Sequence, residues 1–197
     1  MTTCEKLYKG ISQIAWGYLF IFLHINIGTV DILPDFAGYV LFLSAINILK
    51  EFIPEMRLLR TIGIILTLWN FSDWVLTIIG YEGSNILQII SILITVINLY
   101  FNFQLLTNLA TIAAIYQREG CTYDRKILTY RTFIVVLLTV FAVTSHFMPL
   151  LDETVMTVIS LILIAGGVLA IILLMVAIFG LRKNLLTDDE KQPEQIP

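Results

Sequence analysis

The sequence predicts an all-α integral membrane protein: a bundle of six transmembrane helices arranged as three hairpins, with both termini cytoplasmic. Composition is the first observation, because the 197-residue chain is 58% hydrophobic and 14% charged, whereas soluble domains carry about 25% charged residues. The second observation is the sorting of charge between the apolar stretches. The predicted spans cover approximately 11–28, 34–49, 61–80, 86–115, 132–151 and 154–181.

The basic residues give the orientation of the predicted helices. They precede the first apolar stretch, separate the second from the third and the fourth from the fifth, and follow the sixth. The other three connections contain acids and no base. Because cationic loops stay on the cytoplasmic side during insertion, both termini are predicted to lie on the cytoplasmic side of a plasma membrane. The bases are Lys6, Lys9, Lys50, Arg57, Arg60, Arg118, Arg125, Lys126, Arg131, Arg182, Lys183 and Lys191.

The first two stretches need separate arguments. The first, 11–28, has the length of a signal peptide, but no small-residue cleavage site follows it, so we predict an uncleaved helix. The second begins with Pro34 and Asp35, which suit the first turn and the positive end of a helix. It is short, but a re-entrant course would place ten of the twelve bases outside the cell. That would violate the charge rule, so it is predicted to cross.

The remaining segments complete the predicted architecture. Short outer connections pair helix 1 with helix 2, helix 3 with helix 4, and helix 5 with helix 6. Residues 50–60 combine basic and apolar side chains, which is typical of a segment in the inner membrane interface. Gly166 and Ala170 of the sixth span favour close packing within the bundle or in a dimer. Residues 1–183 are predicted to form one transmembrane domain, and 184–197 a disordered polar tail.

The fourth span carries five polar residues along one face. Their spacing of 3, 4, 3 and 4 residues places them on one narrow side of a helix. Lipid offers amides and hydroxyls no hydrogen-bond partners, so this face is predicted to meet protein or water. The five residues are Gln88, Ser91, Thr95, Asn98 and Asn102.

The third span carries a matching face that includes Asn70 and Asp73. Because helices 3 and 4 are predicted to be antiparallel and joined by a short turn, Asp73 is expected at the depth of Ser91 and Thr95. Such faces often serve only as interhelical contacts, and that interpretation stays open. Asp73 differs from the hydroxyls and amides, because a carboxylate near the membrane centre costs about 2.5–3.5 kcal/mol.

Two histidines accompany Asp73 in the outer leaflet. His24, Asp73 and His146 are predicted to lie roughly 6–10 Å below the outer boundary, counted along their helices. One interpretation is binding of a proton or cation, because histidine titrates near neutral pH and either ligand neutralises a carboxylate. Another is a metal site, although three ligands on three helices form no local spacing motif. The third is that each histidine is hydrogen-bonded or hydrated near the interface, with no shared site.

These residues define a predicted polar pocket in the outer half of the bundle, with an acidic rim formed by Asp31 and Asp35. No catalytic residue, metal site or cofactor is predicted, because the sequence has no HExxH, GxSxG or Walker motif. The bases lie around the inner ends of the predicted helices and do not form the continuous basic surface that binds nucleic acid. The predicted pocket residues are His24, Asn70, Asp73, Ser91, Thr95, Asn98 and His146.

The run VDILPDFAGYVLF, residues 30–42, follows the first apolar stretch. It resembles a hairpin shared by uncharacterised multi-pass membrane proteins of Firmicutes bacteria. The resemblance implies a bacterial plasma membrane. It supplies no catalytic residues, because these proteins have no established activity.

Two classes of function remain open from the sequence. The first is a transport-related protein, or one that binds a small solute or cation in the polar pocket. The second is a non-transporting scaffold or accessory subunit of a larger complex, in which the polar faces serve only as packing. The expected partners are the lipid bilayer, a proton or cation, and a partner membrane subunit or a second copy of the chain.

Reporter fusions test the predicted topology. Fusions after Glu51 and Arg118 are expected to be cytoplasmic and fusions near Gly83 extracytoplasmic, because basic loops are retained inside. Alkaline phosphatase activity reports export, and a fluorescent protein that matures only in the cytoplasm reports retention. A cytoplasmic signal at Gly83 would contradict the predicted arrangement.

Overall fold

A computed structural model describes most of the chain: residues 2–22, 26–27, 30–31, 34–80, 85–147 and 153–185. Six α-helices run through these residues. A short antiparallel pair of strands, β1 (Asn26–Ile27) and β2 (Val30–Asp31), lies between the first two helices. The helices are α1 (Thr3–Phe22), α2 (Asp35–Leu49), α3 (Met56–Ile78), α4 (Asn85–Tyr116), α5 (Tyr123–Phe147) and α6 (Glu153–Lys183).

Four of these helices are long and apolar enough to cross a membrane, which supports the class of helical membrane protein. By contrast, α2 is apolar but has only 15 residues, about 22 Å of helix against roughly 30 Å of hydrocarbon. Six complete spans, their pairing as hairpins and the cytoplasmic side of the termini therefore stay predictions. The four candidate spans are Met56–Ile78, Ile89–Tyr116, Tyr123–Thr144 and Thr157–Lys183.

The first helix begins at Thr3, well before the predicted start of its span at 11. A capping box accounts for the difference. The Thr2 N–H donates to Glu5 Oε2 at 2.8 Å, and the Glu5 N–H donates to Thr2 Oγ1 at 3.2 Å. These reciprocal bonds satisfy two amides that a helix start leaves unpaired. Hydropathy marks the apolar part of a helix and misses such polar first turns.

The helices pack as a closed ring, in which each contacts its neighbours in sequence and α6 returns to α1. The α1–α2 contact is the most extensive, followed by α4–α5. The α3–α4 contact, which the sequence predicted as a hairpin, and the α1–α6 contact are the least extensive of the six. The ring therefore has two loosely packed seams, one between α3 and α4 and the other between α6 and α1.

The core lies mainly toward the helix ends that carry the basic residues, a region called the inner half below. There Tyr18 and Phe42 pack with ring centres 4.9 Å apart, and Phe42 and Phe101 with centres 5.8 Å apart. Toward the opposite ends, the outer half, large apolar side chains such as Ile89 and Ile162 are exposed. Exposed apolar surface of this kind suits contact with lipid.

Two glycines allow α1 and α2 to approach closely. A Cβ on Gly38 would lie 2.7 Å from the carbonyl oxygen of Gly17, and a Cβ on Gly17 would lie 3.0 Å from that of Gly38. Small residues at such crossings bring helix backbones into contact within a membrane. On α6, a Cβ on Gly166 would meet only Leu137 of α5, at an ordinary 3.7 Å. This face of α6 thus packs within the bundle at Gly166.

Polar contacts tie the inner ends together. Lys6 Nζ donates to Glu51 Oε2 at 2.7 Å, and this hydrogen bond lowers the pKa of the Glu51 carboxyl below its ordinary value. The backbone N–H of Arg118 donates to the Asn184 carbonyl oxygen at 3.1 Å, so the start of the predicted tail packs against the α4–α5 connection. The rest of that tail, 186–197, lies outside the described residues.

Replacing Gly38 with Ala is expected to lower stability. The added Cβ would lie 2.5 Å from Ile21 Cγ1 and 2.7 Å from the Gly17 carbonyl oxygen, and overpacking of this kind costs about 1–3 kcal/mol. Gly167→Ala is the matched control, because its Cβ meets no described atom within 4 Å and both changes gain about 1 kcal/mol of helix propensity. Thermal unfolding in detergent compares the two variants. Equal midpoints would contradict close α1–α2 packing at Gly38.

Candidate functional site

Two tyrosines and two asparagines form a hydrogen-bonded network between α1, α2 and α4. The Tyr18 hydroxyl donates to Asn102 Oδ1 at 3.1 Å, and the Tyr39 hydroxyl donates to Asn98 Oδ1 at 2.8 Å. Asn102 Nδ2 in turn donates to Asn98 Oδ1 at 2.8 Å. The four side chains thus connect three helices through one continuous set of polar contacts, which we call the tyrosine–asparagine network.

Three of the four members of the network are buried, and Asn98 is half-buried. The exposed fractions are 1% for Tyr18, 4% for Tyr39 and 9% for Asn102. Phe42 and Phe101, both fully buried, pack against it. Groups so far from water must bond to one another, and in this network every member does.

The close approach of α1 and α2 positions both tyrosines. Tyr18 follows Gly17 and Tyr39 follows Gly38, the two glycines at which the backbones meet. Each hydroxyl then reaches a different asparagine of α4, and the asparagines lie one turn apart. Sequence reasoning missed both tyrosines. The available signal was their position inside apolar stretches, away from the boundaries where aromatic belts place tyrosine.

The predicted polar face of α4 divides into a part that is bonded to other helices and a part that is exposed. Asn98 and Asn102 are covered by the tyrosines, whereas Ser91 and Thr95 are exposed. Thr95 Oγ1 donates to the Ser91 carbonyl oxygen at 2.9 Å, a bond within the helix itself. The side chain of Gln88, at the outer end of the same face, lies outside the described residues.

The α3 members of the predicted pocket are Asn70 and Asp73. Asp73 is exposed and Asn70 is half-buried, with Asn70 Nδ2 donating to the Leu66 carbonyl oxygen at 2.7 Å. The two helices meet farther inward, where a Cβ on Gly63 would lie 3.4 Å from Phe101. Outward of that contact, Asp73 of α3 and Ser91 and Thr95 of α4 are each exposed. We call this region the outer opening.

Aromatic contacts hold the start of α2 against a different side of α3. The Phe36 ring centre lies 5.2 Å from that of Phe71 and 5.6 Å from that of Trp74. At about 100° per residue, Asp73 is roughly 200° around the helix from Phe71. The α2 helix therefore covers one side of α3 and leaves the side of Asp73 uncovered.

The structure does not test whether the ionisable trio converges. His24 lies outside the described residues, and His146 belongs to α5 with its side chain outside them. Of the rim residues, Asp31 lies in β2 with an undescribed side chain, and Asp35 is half-buried as the first residue of α2. Within the described part of the chain, no group of three or more His, Cys, Asp or Glu residues is arranged to hold a metal.

No protein-family model matches the chain, and no curated protein or solved structure matches it either. The fold and the site therefore define a class only: a helical membrane protein with a polar network between α1, α2 and α4.

Replacing Asn98 with Ala is expected to destabilise the protein by about 1–3 kcal/mol, because the Tyr39 hydroxyl and one Asn102 N–H lose their common acceptor. Thr95→Ala, one turn away, is the matched control. Thr95 is exposed and bonds only within its own helix, so a change within about 0.5 kcal/mol is expected. Unfolding midpoints in detergent measure both effects. A loss at Thr95 as large as that at Asn98 would contradict the special role of the network.

Proposed function

We propose that this protein is a transport-related membrane protein that binds a proton, a monovalent cation or a small polar solute in the outer opening. The tyrosine–asparagine network forms the floor of this site. Asp73 supplies its charge, and Asn70, Ser91 and Thr95 supply neutral polar groups. Under this proposal, the site is hydrated from the outer face of the membrane.

The exposure of Asp73 is the observation that carries the proposal. The Ser91 and Thr95 hydroxyls can bond within their own helix, but an ionised carboxylate only accepts hydrogen bonds and needs donors from elsewhere. Asp73 lies five residues before the end of α3 at Ile78, about 8 Å of helix. Water reaching that depth removes the cost of placing a carboxylate in hydrocarbon, as ionisable groups in membrane proteins usually require.

The network gives the proposed site a closed floor. Below Asn98, the buried rings of Tyr18, Phe42 and Phe101 separate the opening from the inner connections. Binding from outside needs no change in this floor. Transport needs the tyrosine hydroxyls to leave the asparagines, and a polar ligand that accepts the same hydrogen bonds would lower the cost of that step.

A second candidate function is that of an accessory subunit in a membrane complex. The sparse α3–α4 contact favours it, because a helix of another protein would fit between the outer halves. A donor side chain of that helix would then neutralise Asp73 in place of water. In both candidates the Asp73 carboxylate pairs with a group that does not belong to this chain. In the first candidate this group is water or the ligand, and in the second it is a side chain of the partner helix.

Cysteine labelling distinguishes the two candidates. In a Cys4→Ser, Cys121→Ser background, Asp73→Cys is expected to react with a membrane-impermeant thiol reagent added outside. Val75→Cys is the matched control, since Val75 is exposed but lies roughly 200° around α3 from Asp73, and under this proposal it is expected to stay unreactive. If the Asp73→Cys variant is unreactive in the membrane and becomes reactive after detergent extraction, the result would instead support the accessory subunit.

The charge of Asp73 is tested separately. Sodium or potassium chloride is expected to raise the unfolding midpoint of the wild type above that in choline chloride at equal ionic strength. Asp73→Asn should fold normally and lose this difference, because it keeps the shape and removes the charge. A difference of equal size in the Asn variant would contradict cation binding at Asp73.

A further inference from the structure

A long apolar groove runs between α1 and α6, the second loosely packed seam of the ring. Its volume is about 740 Å³. One wall is a stripe of α6 side chains at helical spacing from Val168 to Phe179, and Leu19 and Phe22 of α1 form part of the other. The lining is apolar along almost all of its length and ends at Lys183.

Arg182 lies at the same inner end and connects α6 to α1. Its guanidinium carbon lies 4.9 Å from the ring centres of both Tyr8 and Phe179, and Nη1 is 3.4 Å from Ser12 Oγ. Its buried Nε has no hydrogen-bond partner among the described residues. No carboxylate of the described chain lies within ion-pair distance of it. The positive charge is therefore fixed by aromatic stacking and not neutralised by these residues.

We infer that this groove binds one anionic phospholipid, with an acyl chain along the groove and the phosphate at Arg182 and Lys183. Charge complementarity carries the inference, because Lys183 lines the end of a groove that is otherwise apolar, and the neighbouring Arg182 stacks on Phe179, another lining residue. Guanidinium groups bind phosphate through paired, charge-assisted hydrogen bonds. Basic pockets between membrane helices are a recurrent way of binding anionic head groups.

The groove is long enough for one acyl chain. The stripe from Val168 to Lys183 runs about 22 Å along α6, and a chain occupies about half of a hydrocarbon core of roughly 30 Å. The groove is separate from the outer opening, since α1 and α6 line one and α3 and α4 the other. The inference therefore does not depend on the proposed function.

The test uses the full-length protein in a neutral detergent, with phosphatidylglycerol as the anionic probe and phosphatidylcholine as its zwitterionic counterpart. Native mass spectrometry counts the bound lipids. The wild type is expected to bind one phosphatidylglycerol about tenfold more tightly than phosphatidylcholine. Combined Arg182→Gln and Lys183→Gln changes should remove this preference. Lys126→Gln, an exposed base on another helix, should preserve it.

A second set of variants alters the groove without altering charge. Val176 lines the groove, so Val176→Trp should weaken binding of both lipids. Leu68→Trp is the control, because Leu68 is an exposed residue of α3, away from the α1–α6 seam.

If the double arginine–lysine variant does not fold, Lys183→Gln alone and Val176→Trp decide the result. Equal affinity of the wild type for the two lipids would overturn the inference. The inference would also be overturned if Val176→Trp left phosphatidylglycerol binding unchanged. The same holds if inorganic phosphate displaced the lipid, or if a second copy of the chain occupied the groove instead.

Discussion

The hydroxyls of Tyr18 and Tyr39 find their hydrogen-bond acceptors on α4, and this set of bonds organises the rest of the bundle. Hydrocarbon supplies no alternative partner, so helices that carry these groups must remain together. The α1–α2 pair is thereby fixed against α4, although α4 lies far from both in sequence. Phe42 and Phe101 fill the space around the bonds and exclude water from the inner half.

Glycine makes this arrangement possible. At Gly17 and Gly38 the backbones of α1 and α2 come close enough that a Cβ on either residue would meet the carbonyl oxygen of the other. The tyrosine that follows each glycine is then directed toward α4, where the two asparagines lie one turn apart. A close helix crossing and a polar network thus arise from one repeated pair of residues, glycine followed by tyrosine.

Tight packing of α1 with α2 leaves two seams of the ring less well filled, and they differ in chemistry. On α3 and α4, the polar residues Asp73, Ser91 and Thr95 are exposed. The α1–α6 seam is apolar up to Lys183. We relate the first seam to a hydrated ligand and the second to a lipid because each has the complementary chemistry.

The sequence by itself determined the class of protein and the polar face of α4, because composition and residue spacing are local properties that a membrane constrains strongly. Sequence reasoning missed the capping box at Thr2 and Glu5, because hydropathy does not mark a polar first turn. Only the tertiary structure decided which polar residues are buried. Thr95 and Asn98 follow one spacing pattern, yet Asn98 is bonded to Tyr39, 59 residues away in sequence, while Thr95 is exposed. Whether a polar residue of α4 is bonded or exposed depends on how far α1 and α2 extend along α4. Helical periodicity within α4 carries no information about the position of a neighbouring helix.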